Sequence, residues 1–396
     1  MRVTIIGQGY VGLTIAVGAA GAGHKVVGFE VNTALVEELN SGKSHIEGIT
    51  DSQLADFLVA GTFVASADPS VLEGSDVVVI AVPTPLDVNR NPDLSYVYAA
   101  TDLINQQVKT PTLIVNESTS YPGTLRKEIA VRITSIEHLF ASSPERVDPG
   151  NAQWGTKNTP RIIGGLTPAA VAKAREFYGS FCDSVIEVSS PEVAEAAKIF
   201  ENTFRQVNIA LVNEFAQISD ALGISSREVI DAAATKPYGF MPFNPGPGVG
   251  GHCIPVDPSY LAHVANEVGV PATFIKRANE VNLAMPAYVV KRVVAGAGGS
   301  IVGKSVVVVG VSYKANVADT RETPAAAVID LLREQGANVV WHDDLVGIWR
   351  GETSAALESF DIAVVVTKHD GVSDVAIKAS GYVFDCTGTV AGVDGI

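Results

Sequence analysis

The chain has 396 residues, 47% of them hydrophobic and 18% charged, which describes a packed protein too long for one ordinary core and excludes a disordered one. A formal net charge of −15 without a basic stripe argues against a nucleic-acid partner, so an anionic ligand must find lysines and arginines gathered locally. Three widely spaced cysteines without a CxxC argue against a disulfide framework or a zinc site and suit reduced thiols in the cytoplasm. No run of about 18 apolar residues offers a membrane span.

The opening apolar run, residues 2–6, stops at Gly7-Gln8-Gly9 and reads as a strand, not a leader. Runs 25–29, 77–82 and 113–115 are also short, β-branched and bounded by turn residues. Stretches 10–22, 33–41 and 95–107 between them have helical patterning. Such alternation implies a parallel sheet covered on both faces. From Pro191 to Leu222 there is no glycine and no further proline, and Gly223 follows. Proline in the first turn and glycine past the last predict one helix of about 31 residues, roughly 47 Å long. Its later part, residues 207–212, is apolar nearly all round and is expected to be buried on most sides. Helices over 226–234, 257–267 and 272–295 come next. After the glycine-rich stretch 295–300, strands at 305–309, 338–341, 362–366 and 382–385 with a helix at 323–335 make a second, smaller sheet. The expected architecture is α/β: two Rossmann-like lobes with parallel sheets, joined by a long central helix and a helical middle domain. The expected boundaries are 1–190, 191–299 and 300–396.

Gly7-Gln8-Gly9-Tyr10-Val11-Gly12 fits G-x-G-x-x-G directly after a strand and at the start of a helix. Gly7 permits the tight turn, Gly9 admits a pyrophosphate against the backbone, and Gly12 lets helix and strand pack. The helix start at Tyr10 and Val11 then faces the phosphates. Glu30, at the end of the next strand and about 20 residues on, is placed to accept ribose hydroxyls; its charge repels a 2′-phosphate, so NAD is expected over NADP. Thr84 and Thr119 follow later strands at the carboxyl edge of the sheet. They suit contacts to the nicotinamide ribose or the substrate, and equally plain turn and cap roles.

The segment 238–257, YGFMPFNPGPGVGGHCIPVD, is poor in side chains at Gly246, Gly248, Gly250 and Gly251 and carries one thiol, Cys253. A loop of this kind lets a ligand lie on backbone N–H groups. A nucleotide-binding lobe plus one such cysteine points to oxidation through a thiohemiacetal and a thioester. Asp257 lies one helical turn on. Cys182 and Cys386, in or beside strands, read as buried filler. Lys198, Asn202 and Arg205 share one face of the long helix, which by spacing alone is an ordinary solvated stripe.

Together, GQGYVG, SPERVDPG at 143–150, the Glu195-to-Asn202 segment, GPGVGGHCIPVDP and GVSYKANVADTRE at 310–322 resemble the UDP-glucose/GDP-mannose dehydrogenase superfamily over the whole chain. The resemblance implies a twofold NAD-dependent oxidation of a nucleotide-sugar C6 alcohol to the acid. It makes Cys253 the nucleophile, and Lys198 and Asn202 the donors to the C6 oxyanion. Glu145 becomes the base for thioester hydrolysis or the group orienting it, with Asp257 and Thr119 positioning water. Further substrate contacts fall on Arg146, Arg205, Phe243, Gly246 and Gly250, and uridine diphosphate contacts on Lys314 and Arg321. No metal is implied.

A homodimer through the central helix is implied too, with Lys236 a loose match to a basic residue lent to the partner's site. SPERVDPGN and the 202–210 segment resemble most the branch acting on UDP-N-acetylhexosamines of the GlcNAc or GalNAc type. UDP-glucose and UDP-N-acetylmannosamine are the alternatives, and Asn244 stands where an aromatic is common. The product is expected to be a uronic acid for a surface polysaccharide or a glycosylated metabolite. A two-electron hydroxyacid dehydrogenase of the same layout would not need Cys253. A non-catalytic NAD-binding protein would not need Lys198, Asn202, Cys253 and Asp257 together.

Overall fold

A computed structural model of the chain describes residues 1–396 apart from 47, 89, 148–150, 152, 252 and 253. The chain divides into two compact units, one of residues 1–201 with 259–270, the other of 202–258 with 271–396.

The first unit holds eight strands: β1 (Arg2–Ile6), β2 (Lys25–Phe29), β3 (Phe63–Ser66), β4 (Val77–Ile80), β5 (Leu113–Asn116), β6 (Leu139–Ser142), β7 (Arg161–Gly165) and β8 (Val185–Glu187). Their order is β3-β2-β1-β4-β5-β6-β7-β8, so the first six have the dinucleotide-binding arrangement. Its helices are α1 (Tyr10–Gly21), α2 (Thr33–Asn40), α3 (Asp51–Val59), α4 (Ser95–Gln107) and α5 (Pro168–Tyr178). β1 and β4 are buried because α1 and α5 cover one face; Val3, Ile5, Val77 and Val79 join Leu13, Ala16 and Phe177 in one core. The expectation of a wholly parallel sheet is corrected at one pair, since β6 and β7 run antiparallel, Ala141 opposite Gly165. A parallel return needs a crossover, usually a helix, and none lies among the described residues of 143–160.

The long helix α6 runs Pro191–Leu222. It ends in a Schellman motif: Gly223 takes φ +70°, its N–H donates to Asp220 O, and Ile224 N–H donates to Ser219 O. Its segment 207–212 is not buried as expected: Ala210 is buried but Leu211 is 62% exposed. Nothing among the described residues of this chain covers that face.

The second unit continues with α7 (Ser226–Ala234), and α8 (Asp257–Glu267) starts within it. Beyond these come α9 (Thr273–Gly296), β9 (Ser305–Val309), α10 (Pro324–Glu334), β10 (Asn338–His342), the short pair β11 (Ile348–Trp349) and β12 (Glu352–Thr353), β13 (Ile362–Val365), α11 (Asp374–Lys378), β14 (Tyr382–Asp385) and β15 (Asp394–Gly395). Its main sheet is parallel in the order β10-β9-β13-β14-β15. Alternate residues of β9 enter two cores: Val306 and Val308 meet α9 and α10, while Val307 and Val309 meet Val372 and Ile377 on the other face. That two-sided burial is why the run is valine throughout.

Both lobes turn out of their first strand in the same way. Gly7 (φ +90°) donates its N–H to Phe29 O, and Gly310 (φ +85°) donates to His342 O. A Cβ would stand 2.5 Å from Ala81 O at Gly7 and 1.8 Å from Thr367 O at Gly310. An acid comes directly after each accepting residue, Glu30 and Asp343. Gly310→Ala is therefore expected to cost roughly 3 kcal/mol or more in equilibrium urea unfolding, combining left-handed strain with a backbone clash; an unchanged midpoint would contradict this packing.

Candidate active site

The glycine turn of the first unit fits NAD. Gly7 is sterically required, and a Cβ at Gly12 would stand 1.8 Å from Gly7 O. Gly9 is exposed, caps α1 at its N-terminus, and has nothing within 4 Å of the Cβ position, so open space lies at the helix start beside Tyr10 and Val11. No acid sits in the first turn of α1 to repel phosphate. Glu30 is oriented from both sides, Oε2 accepting from Gln8 N (3.0 Å) and Oε1 from Asn32 N (3.0 Å). Gln8 folds back to donate to Ile5 O, into space that only glycine at position 28 leaves open. The loops after β4 and β5 are clasped by Ser118, whose Oγ accepts from Val82 N and donates to Val82 O, both at 2.9 Å. Thr84 is buried beside that clasp and Thr119 half-buried on it.

Beneath the sheet edge lies an ionic cluster that spacing did not reveal. Arg161 opens β7 and is buried. Its guanidinium bridges Glu117 (2.8 Å) after β5 and Glu145 (2.7 Å) after β6. Tyr178, at the end of α5, donates its hydroxyl to Glu117 Oε1 (2.5 Å) and sets its ring 4.9 Å from the guanidinium. The other oxygen of Glu145 accepts from Arg146 N (2.7 Å) and Val147 N (2.8 Å). Burial pushes the Glu117 carboxyl up to about 7, whereas Arg161 and these two N–H groups outweigh burial at Glu145 and hold it below the usual carboxylate range. Arg146, expected at the substrate, is engaged by Glu201 and by Pro160 O. On α6, Glu195 is also buried and accepts from Gly123 N (2.7 Å) and Leu125 N (2.8 Å), tying the helix to the segment just past Thr119. The one sequence signal for Arg161 was an arginine opening an otherwise apolar strand.

In the second unit Asn202 and Asp257 meet as buried partners, Nδ2 donating to Oδ2 at 2.5 Å. Asp257 begins α8, as the sequence implied. Lys198 lies one turn before Asn202 on α6 and is half-buried, while Arg205 is exposed. Cys253 lies outside the described residues. The glycines of its segment serve differently from the expectation that all admit ligand. At Gly250 and Gly251 a Cβ would collide with Tyr313, and Gly251 N–H donates to Arg321 O (2.9 Å). Of Gly246, Gly248, Gly250 and Gly251, Gly246 alone keeps open space, its N–H donating to Asn213 Oδ1 (2.9 Å). Phe243 packs edge-on against Phe204, 5.9 Å between rings, and Asn244 is exposed. Lys314 is half-buried, and Arg321 is exposed with its guanidinium on Asp319. Burial pushes the Cys182 thiol up to about 11 and the Cys386 thiol higher, which keeps both from acting as nucleophiles.

Asp343, the counterpart of Glu30, is spent on its own lobe. Oδ2 accepts from Val311 N, Ser312 N and Ser312 Oγ, and Oδ1 from Leu345 N, Val346 N and His369 Nε2.

Three family models match in order: the NAD binding domain of the UDP-glucose/GDP-mannose dehydrogenase family at residues 1–182, its central domain at 192–284 and its UDP binding domain at 307–391. The chain belongs to the UDP-glucose/GDP-mannose dehydrogenase family. As a member it is an NAD-dependent oxidoreductase acting on UDP-sugars. It is 36% identical to a UDP-N-acetyl-D-mannosamine dehydrogenase of Methanococcus maripaludis, over 94% of this chain and 87% of the relative. It is 33% identical to a UDP-N-acetyl-D-glucosamine 6-dehydrogenase of Pseudomonas aeruginosa, over 96% and 90%. The solved UDP-D-ManNAc dehydrogenase of Pyrococcus horikoshii superposes with a TM-score of 0.90 at 31% identity, covering 100% of this chain and 99% of the other. No helix among the described residues is long and apolar enough to cross a membrane.

For this NAD-binding turn, Gly9→Ala separates binding from folding. Stability without cofactor should change by less than about 0.5 kcal/mol, while NAD affinity in calorimetry falls about tenfold or more. Unchanged affinity would show that the pyrophosphate does not approach Gly9.

Proposed function

We propose that this dehydrogenase converts the C6 alcohol of a UDP-N-acetylhexosamine to the carboxylate by two successive oxidations. The observation that carries the reading is the buried Asn202–Asp257 pair, with Asp257 heading a helix four residues after Cys253 and Asn202 one turn from Lys198. NAD, held by the Gly7, Gly9 and Gly12 turn and by Glu30, supplies a hydride acceptor for each oxidation. Thr84 and Thr119 line its nicotinamide end.

Lys198 and Asn202 donate to the C6 oxygen and stabilise its negative charge. Once the alcohol has become an aldehyde, the Cys253 thiolate forms a C–S bond to C6. Oxidation of that adduct leaves a thioester. Asp257 and Thr119 place a water against it, Glu145 takes a proton from the water, oxygen adds to the acyl carbon, and the C–S bond breaks to restore Cys253. The balance is one alcohol and one water to one carboxylate and three protons, with two hydrides accepted.

The division of labour we propose is NAD binding by 1–190, catalysis and dimerisation by 191–299, and UDP binding by 300–396; the order of the three matched family segments supports it. Lys314 and Arg321 would meet the diphosphate, Arg321 exchanging Asp319 for it. Arg205, Phe243 and Gly246 would border the sugar, with Arg146 reaching it only by leaving Glu201. An acetamido substrate is favoured over UDP-glucose by SPERVDPGN and by the names of the relatives above; those names favour the manno and gluco forms. We place the reaction in the cytoplasm, where NAD and reduced thiols are kept.

A homodimer through α6 accounts for the face that this chain leaves bare. Phe200, Phe204, Leu211, Ile218 and Leu222 are exposed and recur at helical spacing. Lys236, exposed and 5.0 Å from the Tyr238 ring, is the group we propose is lent to the partner's site.

Substrate and assembly are tested separately. With NAD and, in turn, UDP-N-acetylglucosamine, UDP-N-acetylgalactosamine, UDP-N-acetylmannosamine and UDP-glucose, an acetamido sugar should yield two NADH per sugar consumed. Cys253→Ala should abolish acid formation, and Lys198→Ala should lower turnover roughly 100- to 1000-fold; two NADH from UDP-glucose alone would discard the substrate assignment. In sedimentation velocity Leu211→Glu should convert dimer to monomer, and a wild-type profile for this variant would remove α6 as the interface.

A further inference from the structure

We propose that Arg161 is the positioning residue of Glu145, and that Glu117 tunes the basicity of Glu145 by drawing on the same guanidinium. The proposal rests on the reading of Glu145 as the base for thioester hydrolysis. Oε1 of Glu145 is filled by the Arg146 and Val147 N–H groups, and Oε2 takes one guanidinium N–H of Arg161. A carboxylate oxygen accepts about two hydrogen bonds. Among the described residues, therefore, one direction on Oε2 stays open, and a water proton must arrive there. Arg161 fixes where that direction points.

The second fork of Arg161 is held by Glu117 and by the oxygens of Ser143, and Glu117 is held in turn by Tyr178. The groups facing one another are Arg161 from β7, Glu117 after β5, Glu145 after β6, and Tyr178 with the neutral Cys182 thiol from the end of α5 and the loop beyond it. The side-chain charge of Arg146 is taken by Glu201. One cation between two buried carboxylates leaves an excess negative charge, which an interior tolerates poorly. A single proton on Glu117 neutralises the cluster while Glu145 remains a carboxylate. With Glu117 protonated, the whole guanidinium charge acts on Glu145 and makes it a weaker base. With Glu117 ionised the charge is shared and Glu145 is the stronger base. Hydrolysis therefore accelerates as pH rises through about 7, the value to which burial pushes Glu117.

The experiment tracks decay of the covalent acyl-enzyme after a single turnover of the whole enzyme with NAD and sugar, by quenching and intact mass between pH 5.5 and 9. Wild type should show an inflection near 7. Glu117→Gln, which keeps an acceptor for Tyr178 and Arg161 but cannot ionise, should lose the inflection and decay several-fold more slowly at pH 8, with KM for NAD unchanged. Arg161→Lys, which keeps the charge but not the fork, should slow decay at least tenfold at every pH. An unaltered inflection in Glu117→Gln, or wild-type decay in Arg161→Lys, overturns the proposal. Should Arg161→Lys fail to fold, Glu117→Gln decides alone. Glu145→Gln separates the two layers: a stalled acyl-enzyme there, with a wild-type profile in Glu117→Gln, sinks the tuning and leaves the base. Wild-type decay in Glu145→Gln removes the base and the proposal with it.

Discussion

A carbonyl oxygen pressed into the space a Cβ would occupy governs both lobes. At Gly7 the neighbour is Ala81 O and at Gly310 it is Thr367 O. Because glycine stands there, the first strand can end against the next strand of its sheet and turn at once out of the sheet plane. In the first unit that turn brings the start of α1 to the carboxyl edge of the sheet, where its backbone dipoles serve a diphosphate. The loops after β4, β5 and β6 reach the same edge, which is how Ser118, Thr119, Glu117 and Glu145 come to share one region of the unit.

Charge in this acidic chain is arranged by pairing. Arg146 sits with Glu201, Arg321 with Asp319, and Arg292 with Asp220 and Asp394. At Arg321, the contact proposed for the diphosphate, a ligand would compete with a carboxylate already in place. The cost of parting the exposed Arg321 side chain from Asp319 is small, of order 1 kcal/mol. The buried cluster around Arg161 obeys the opposite rule: its groups have no water to fall back on, so each must keep its partner.

Elements with strong local signals were legible from the sequence. β13 and the four valines of β9 are continuous apolar runs, β1 is mostly apolar, and α6 is bounded by Pro191 and Gly223, each in its favoured position. Strands β6 to β8 were not singled out, since they are short and one pair reverses direction, a matter of the chain that lies between them. Spacing placed Asp257 one turn from Cys253 and Asn202 on a solvated stripe, and it gave no sign that the two side chains meet. Glu117, Arg161 and Tyr178 escaped because their pairing depends on three strands and a helix converging, with Glu117 and Arg161 44 positions apart in sequence. Gly250 and Gly251 were read as room for a ligand, whereas Tyr313 fills that room; a glycine reports a close neighbour without saying which. Segment 207–212 was read as core because it is apolar, yet a single chain leaves Leu211 in water.

The likeness of the two turns has a consequence for the second lobe. Glu30 receives one backbone donor on each oxygen and retains acceptor capacity for a sugar diol. Asp343 meets three donors on each oxygen, more than its lone pairs can serve well, and has nothing left to offer a ribose. One frame thus stands twice in the polypeptide, once with its acidic hook open and once with the hook closed on its own loop. What separates a lobe that grips a dinucleotide from one that must grip its nucleotide by other means is the hydrogen-bond inventory of a single carboxylate.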